Sequence, residues 1–366
     1  MKALLRVAVV LMLGVLLSEP SAALPRFASR TGAKCQSCHV NPSGGGMRQA
    51  FGVQYGRETL PVPTWSEEFG LDDFSTNLTD FVSIGADFRT LYYYIQDPVK
   101  DKNAFFEMQG DVYMNFRLAK KVNIYLDKGL NTSHYEIFGL LNILPGNGFV
   151  KIGKFTPNYG TKVDDHRAFI RDKTGFSPET GSPFYTGGEI GFSPGPVTVT
   201  GGIYNSSTTN LFPPSIPNQK AFLGRAEGIF KLATDVNLGI GSNVFYRNDL
   251  GTKTTIFGGF GSFTYDNLTV MGEVDLVKHQ NAGDTTRIAT YLEADYVATP
   301  GLDLKFIYDF YDSDKDLKTG AVSRYSFGFE FFPIAGVEVR PLYRISKEEP
   351  TERKNNEFLV VFHFFL

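Results

Sequence analysis

The sequence predicts an all-β protein, a transmembrane antiparallel β-barrel of about sixteen strands preceded by a short segment of different character. Three observations predict it. The first is period-two alternation. In "NLGIGSNVFYRN", Leu238, Ile240, Val244 and Tyr246 share one face, and Asn237, Gly239, Gly241, Asn243 and Arg247 the other. In "GLDLKFIYDFYD", Leu302, Leu304, Phe306, Tyr308 and Phe310 oppose Asp303, Lys305, Ile307, Asp309 and Tyr311. In "SRYSFGFEFF", Tyr325, Phe327, Phe329 and Phe331 oppose Arg324, Ser326, Gly328 and Glu330. The second is the rhythm of the connections, which alternate between tight and long. The third is "FLVVFHFFL", which places Phe358, Val360, Phe362, Phe364 and Leu366 on one face up to the chain end.

A soluble sandwich also alternates, but its strands are usually shorter. A tilted membrane strand needs about 9–11 residues, and these segments reach that length. The charged face carries too many charges to bury, so it is expected to see water. Lipid outside and a wet lumen inside satisfy both faces. Closure also removes the unpaired strand edges that lipid cannot satisfy.

The N-terminus reads as an export signal. Lys2 and Arg6 supply positive charge, an apolar run extends from Val7 to Leu17, and Ser21 and Ala23 fit a small-residue cleavage site. A spanning helix needs about 20 apolar residues, so this run is too short for one. Cleavage after Ala23 sends the mature chain out of the cytoplasm.

The mature chain then presents "TGAKCQSCHVNPSGGGMRQAFG", which holds both cysteines. Cys35, Cys38 and His39 form C-x-x-C-H, the attachment pattern of haem c. Two thiols three positions apart reach the two vinyl groups of one porphyrin and become thioethers. His39 follows as the proximal iron ligand. A zinc half-site would need further Cys or His at metal spacing, and none lies nearby. A disulfide between Cys35 and Cys38 is the bland alternative. Met47, behind the flexible "NPSGGG" run, is the nearest candidate for the sixth iron position. His134, His166, His279 and His363 are the others, and an open position is a further possibility.

"ETLPVPTW" reads as a linker, and strands follow from about Phe74. The expected division is an export signal (1–23), a monohaem cytochrome c segment (24–60), a linker (61–73) and a barrel (74–366). Tight turns fall near Lys120, Gly146, Gly195, Thr234, Asp266, Pro300 and Ile334. Longer loops include "QDPVKDKN", Phe155 to Pro183, Ser206 to Gln219, "DSDKDLKTG" and "SKEEPTERKN". In outer-membrane barrels the short turns are periplasmic, so an even strand count puts both termini there. The cytochrome segment is too short for a robust core of its own. It is expected to borrow burial from the barrel as a plug, or to sit below it as a periplasmic cap. The longest loop carries Asp164, Asp165, His166, Arg167, Arg171, Asp172 and Lys173. It is either a solvated outer loop, an inward constriction, or a metal site through Asp164, Asp165 and His166. A formal net charge of −3 does not point to nucleic acid as a partner.

"LPRFASRTGAKCQSCH" followed by "FGVQYG" and a barrel resembles the fused monohaem cytochrome–porins of bacterial outer membranes, whose best-known members oxidise iron. The likeness covers the lead-in, the haem motif and the F-G-x-x-Y element, and extends to the barrel as a plan. It implies one covalent haem c on Cys35 and Cys38, proximal ligation by His39, and residence in outer-membrane lipid. It also implies electron transfer between an extracellular donor, Fe(II) among them, or an acceptor, and a periplasmic c-type cytochrome. The alternative function is a diffusion porin for anions or small solutes, with the haem as plug or sensor. "VKIGKFTPNYG", similar to a segment of phosphate-selective porins, favours that alternative.

Overall fold

The computed structural model describes residues 26–70, 75–132, 134–177, 183–206, 219–249, 251–280 and 284–366. The export signal expected over residues 1–23 lies outside the described residues, as do positions 71–74 at the end of the expected linker. Sixteen strands form one closed antiparallel barrel. The first, β1 (Val82–Ile95), pairs with both β2 (Lys102–Ala119) and the last strand, β16 (Glu357–Phe365), so no edge is left open. Among the described residues the first strand begins at Val82, and before it Asn77 makes an isolated bridge to Ser83.

The alternation read from the sequence is the wall of this barrel. On β9 (Val236–Asp249), Ile240 is 62% exposed and faces outward, whereas Asn243 is 5% exposed and faces the lumen. On β13 (Leu302–Asp312), Leu304 faces out while Asp303, Lys305 and Asp309 are buried inside. On β16, Phe358, Phe362 and Phe364 are outward and His363 is buried inward. Leu366 lies just past the strand, and its amide donates to the Ala86 carbonyl at 2.9 Å.

The tight connections, at 120–121, 145–147, 193–196, 234–235, 266–267, 300–301 and 332–336, gather at one end together with the start of β1 and the end of β16. The rhythm is not strict. Only residues 250–251 separate β9 from β10 (Thr252–Tyr265), although this turn falls at the long-loop end.

The expectation of a wet charged face is corrected. Inward-facing Lys151, Glu189, Asp275, Asp295, Asp309 and Glu330 are all buried. Two insertions cover them. One is the N-terminal segment, which lies inside the tight-turn mouth. The other is the connection from β5 (Gly148–Phe155) to β6 (Tyr185–Phe192), whose Tyr159, Val163, His166 and Phe169 are buried. Pairing stabilises charges inside such a space, because removing one partner of a buried pair costs about 3–5 kcal/mol. The pairing is dense. Arg26 lies 2.5 Å from Glu330, Lys305 lies 2.7 Å from both Glu293 and Asp295, and Arg340 lies 3.1 Å from Glu330.

Four short helices build the N-terminal segment: α1 (Arg26–Thr31), α2 (Cys35–Cys38), α3 (Ala50–Gln54), which runs on through a wider turn to Thr59, and α4 (Pro63–Glu68). Within the 61–73 stretch, Pro63 stands at the first position of α4, where its missing N–H costs nothing. This helix docks on the turn after β14 (Ala321–Phe331). Trp65 meets Phe331 edge-on at 5.8 Å, and the Val62 amide donates to the Phe332 carbonyl at 3.0 Å.

Candidate cofactor site in the barrel lumen

The cysteine motif occupies one helical turn. Positions three apart on a helix share a face, so Cys35 and Cys38 present their thiols together. Both are free thiols, not a disulfide. Burial pushes the Cys35 thiol up to about 12, which keeps it neutral and unlike a reactive redox thiolate. His39 follows with extended backbone, and its Nδ1–H donates to the Gly46 carbonyl at 3.2 Å. Burial, aided by Arg48, pushes this imidazole down to about 4, so it is neutral and Nε2 carries the lone pair.

The "SGGG" run is a structural requirement rather than slack. Gly44, Gly45 and Gly46 all have positive φ, at 78°, 76° and 63°. A side chain on Gly44 would press on the Cys35 sulfur, and one on Gly46 would collide with the Tyr125 hydroxyl. The run reverses the chain so that Arg48 bridges back to His39 and the Val40 amide meets the Met47 carbonyl at 3.0 Å. Gly52 has an equivalent role in the F-G-x-x-Y element. Any Cβ there would strike the Cys38 carbonyl, so glycine lets α3 lie against α2.

The lumen holds a cavity of about 300 Å³, within the range of small-molecule sites. Cys35, Cys38 and His39 line it from one side, and Asp111, Asp127, His134, His166 and His363 from the barrel and loop. Met47 does not line it. That side chain is 0% exposed and packs with Val40, Tyr113 and Tyr125. His279 also lies elsewhere, 3.0 Å from the Thr254 hydroxyl. His363 reaches the cavity but is held at both nitrogens, by Glu338 at 2.7 Å and Asp87 at 2.8 Å.

The long loop folds inward. Asp164 stands 3.4 Å from Arg340 and 3.9 Å from Arg26, and Asp165 lies 2.5 Å from Arg344. Both carboxylates are committed to arginines of the wall and plug, so they do not form a metal site with His166.

The contacts that seat the segment were not legible beforehand. Ser29 bonds Ser262 and Thr264 at 2.9 Å, Arg30 meets Asp303 at 2.6 Å, and Lys34 donates to the Ser193 carbonyl at 2.8 Å. Lys151, paired with Glu189 at 2.6 Å, donates to Ser43 at 2.9 Å and pins the turn before the glycines. Arg48 covers the Phe365 ring at 4.5 Å and donates to the Leu366 carbonyl at 3.2 Å. Inward parity marks Lys151, Glu189 and Asp303 as lumen residues. It does not say which plug residue each one meets.

No protein-family model matches the chain, and no curated protein matches it. Solved structures do. The anion-selective porin from Comamonas acidovorans superposes with a TM-score of 0.60 at 11% identity, covering 78% of this chain and 99% of its own. The outer-membrane protein OmpT of Vibrio cholerae does so with a TM-score of 0.56 at 12% identity, covering 80% of this chain and 100% of its own. The chain therefore has the fold of outer-membrane porins. At such identities the likeness concerns the fold alone.

Proposed function

We propose that the chain is an outer-membrane barrel that carries one haem c on Cys35 and Cys38, with His39 as proximal ligand, and passes electrons through its lumen. The carrying observation is that both thiols and the imidazole face one cavity, with the imidazole oriented by the Gly46 carbonyl. A ligating histidine characteristically donates its other ring N–H in this way. When bound, the haem supplies a one-electron iron couple. The chain's own residues do the rest. Lys151, Arg48 and Gly52 hold the motif in place, and the barrel wall with the folded loop surrounds the cavity. Met47, packed away from the cavity, is not part of the proposed ligand set. Short turns on the periplasmic side would bring the cytochrome segment next to a periplasmic c-type cytochrome, with a donor or acceptor reaching the lumen from outside.

A second reading, a solute porin, is favoured by the likeness to an anion-selective porin. Barrels of this strand number otherwise leave an aqueous channel. The buried ion pairs and the two lumen insertions count against a wide open channel. Proteoliposomes loaded with cytochrome c separate the two. Reduction of the trapped cytochrome by an impermeant external donor, with low ionic conductance, is the expected result. High conductance without reduction overturns the electron-transfer reading.

A further inference from the structure

We infer that Asp111, Asp127 and His134 form a binding site for one divalent first-row cation on the barrel side of the lumen cavity. Asp111 is on β2 and Asp127 on the adjoining β3 (Val122–Gly129); His134 closes the connection that follows β3. One ligand atom from each lies within 4.8 Å of the other two. The His134 Nε2 stands 3.1 Å from Asp111 Oδ1. Its ring is stacked on Phe184 at 5.0 Å and 2°, which fixes the direction of that nitrogen.

Three further features point to a cation. Asp111 is 5% exposed, and its other oxygen already accepts from Gln109 at 2.6 Å. Asp127 Oδ1 is removed from solvent, and no hydrogen-bond donor reaches it. In the ladder, Asp127 stands directly opposite Glu136 of β4 (Tyr135–Leu144), another buried carboxylate, whose Oε1 is taken by the Thr156 amide at 2.8 Å. Like charges directly opposite one another in a sheet are destabilising. The nearby Lys128 relieves this only in part, because its ammonium donates to the Thr132 and His134 carbonyls at 3.0 and 3.2 Å. Two carboxylates and one imidazole make a mixed oxygen and nitrogen donor set. Manganese, iron, cobalt and zinc in the divalent state accept it, whereas calcium prefers oxygen alone.

The site does not rest on the haem reading, so its test includes chains without the attachment cysteines. Chelator-treated full-length protein is titrated with Mn²⁺, and the free ion is followed by room-temperature paramagnetic resonance. The expected result is one saturable ion per chain, in both the natural chain and the Cys35→Ala/Cys38→Ala variant. Asp127→Asn and His134→Gln each weaken binding by about tenfold or more. Asp316→Asn, on an exposed loop, leaves it unchanged. A structural role alone would not produce a second signature. Mn²⁺ raises the unfolding temperature of the natural chain but not of Asp127→Asn, which without metal is at least as stable because a like charge has been removed. No saturable binding, or binding by Asp127→Asn and His134→Gln as tight as that of the natural chain, overturns the inference.

Discussion

The barrel wall and the segment inside it are organised by different physics. The wall obeys a rule that repeats along the chain: alternate residues face lipid or lumen, and each strand pairs with the next. The N-terminal segment obeys no such rule. It is too short to bury its own core, so it is seated by individual contacts, such as Arg26 on Glu330, Ser29 on Ser262 and Lys151 on Ser43. The lipid face of the wall tolerates most single changes because its energy is distributed. The segment depends on a few buried groups, each with a large cost if left alone.

The largest effect should come from the attachment motif. Cys35→Ala with Cys38→Ala, or His39→Ala, should abolish covalent haem or its redox activity while the barrel still assembles, as read by haem staining and heat-modifiability on a gel. Retained covalent haem and redox activity in these chains would break the contrast between segment and wall. Next comes Lys151→Met, which strands the buried Glu189 and removes the pin on Ser43. It should destabilise the folded protein by about 3–5 kcal/mol, seen as a lower denaturation midpoint. Met47→Ala should cost about 2–5 kcal/mol through the void it leaves among Tyr113, Tyr125 and Val40, yet leave the haem spectrum unchanged. An altered spectrum would mean that Met47 reaches the iron. Gly52→Ala, forcing α3 off the Cys38 carbonyl, should cost about 1–3 kcal/mol and lower haem occupancy without disturbing the wall. Ile240→Val, on the lipid face, should change little in either assay.

What could be read in advance follows the same division. Strand number, facing and the tight-turn end were legible because period two and turn chemistry are local signals. The inward direction of His363 was legible for that reason, but its clamp between Asp87 and Glu338 was not, since those partners lie 276 and 25 residues away. The cysteine turn was legible as a motif. The left-handed path of Gly44 to Gly46 was read only as flexibility, although it directs Met47 away from the cavity. The charged lumen face suggested water because parity reveals facing, not what covers a face. The segment and long loop that cover it are placed by long-range pairing.

The central claim is that the short segment works as a redox centre inside the wall. An optical redox titration of the purified full chain tests this most directly. The account predicts one covalent haem per chain that titrates reversibly as a one-electron centre, with the same spectrum in the Met47→Ala variant. A chain without covalent haem, or with haem that does not titrate, would contradict it.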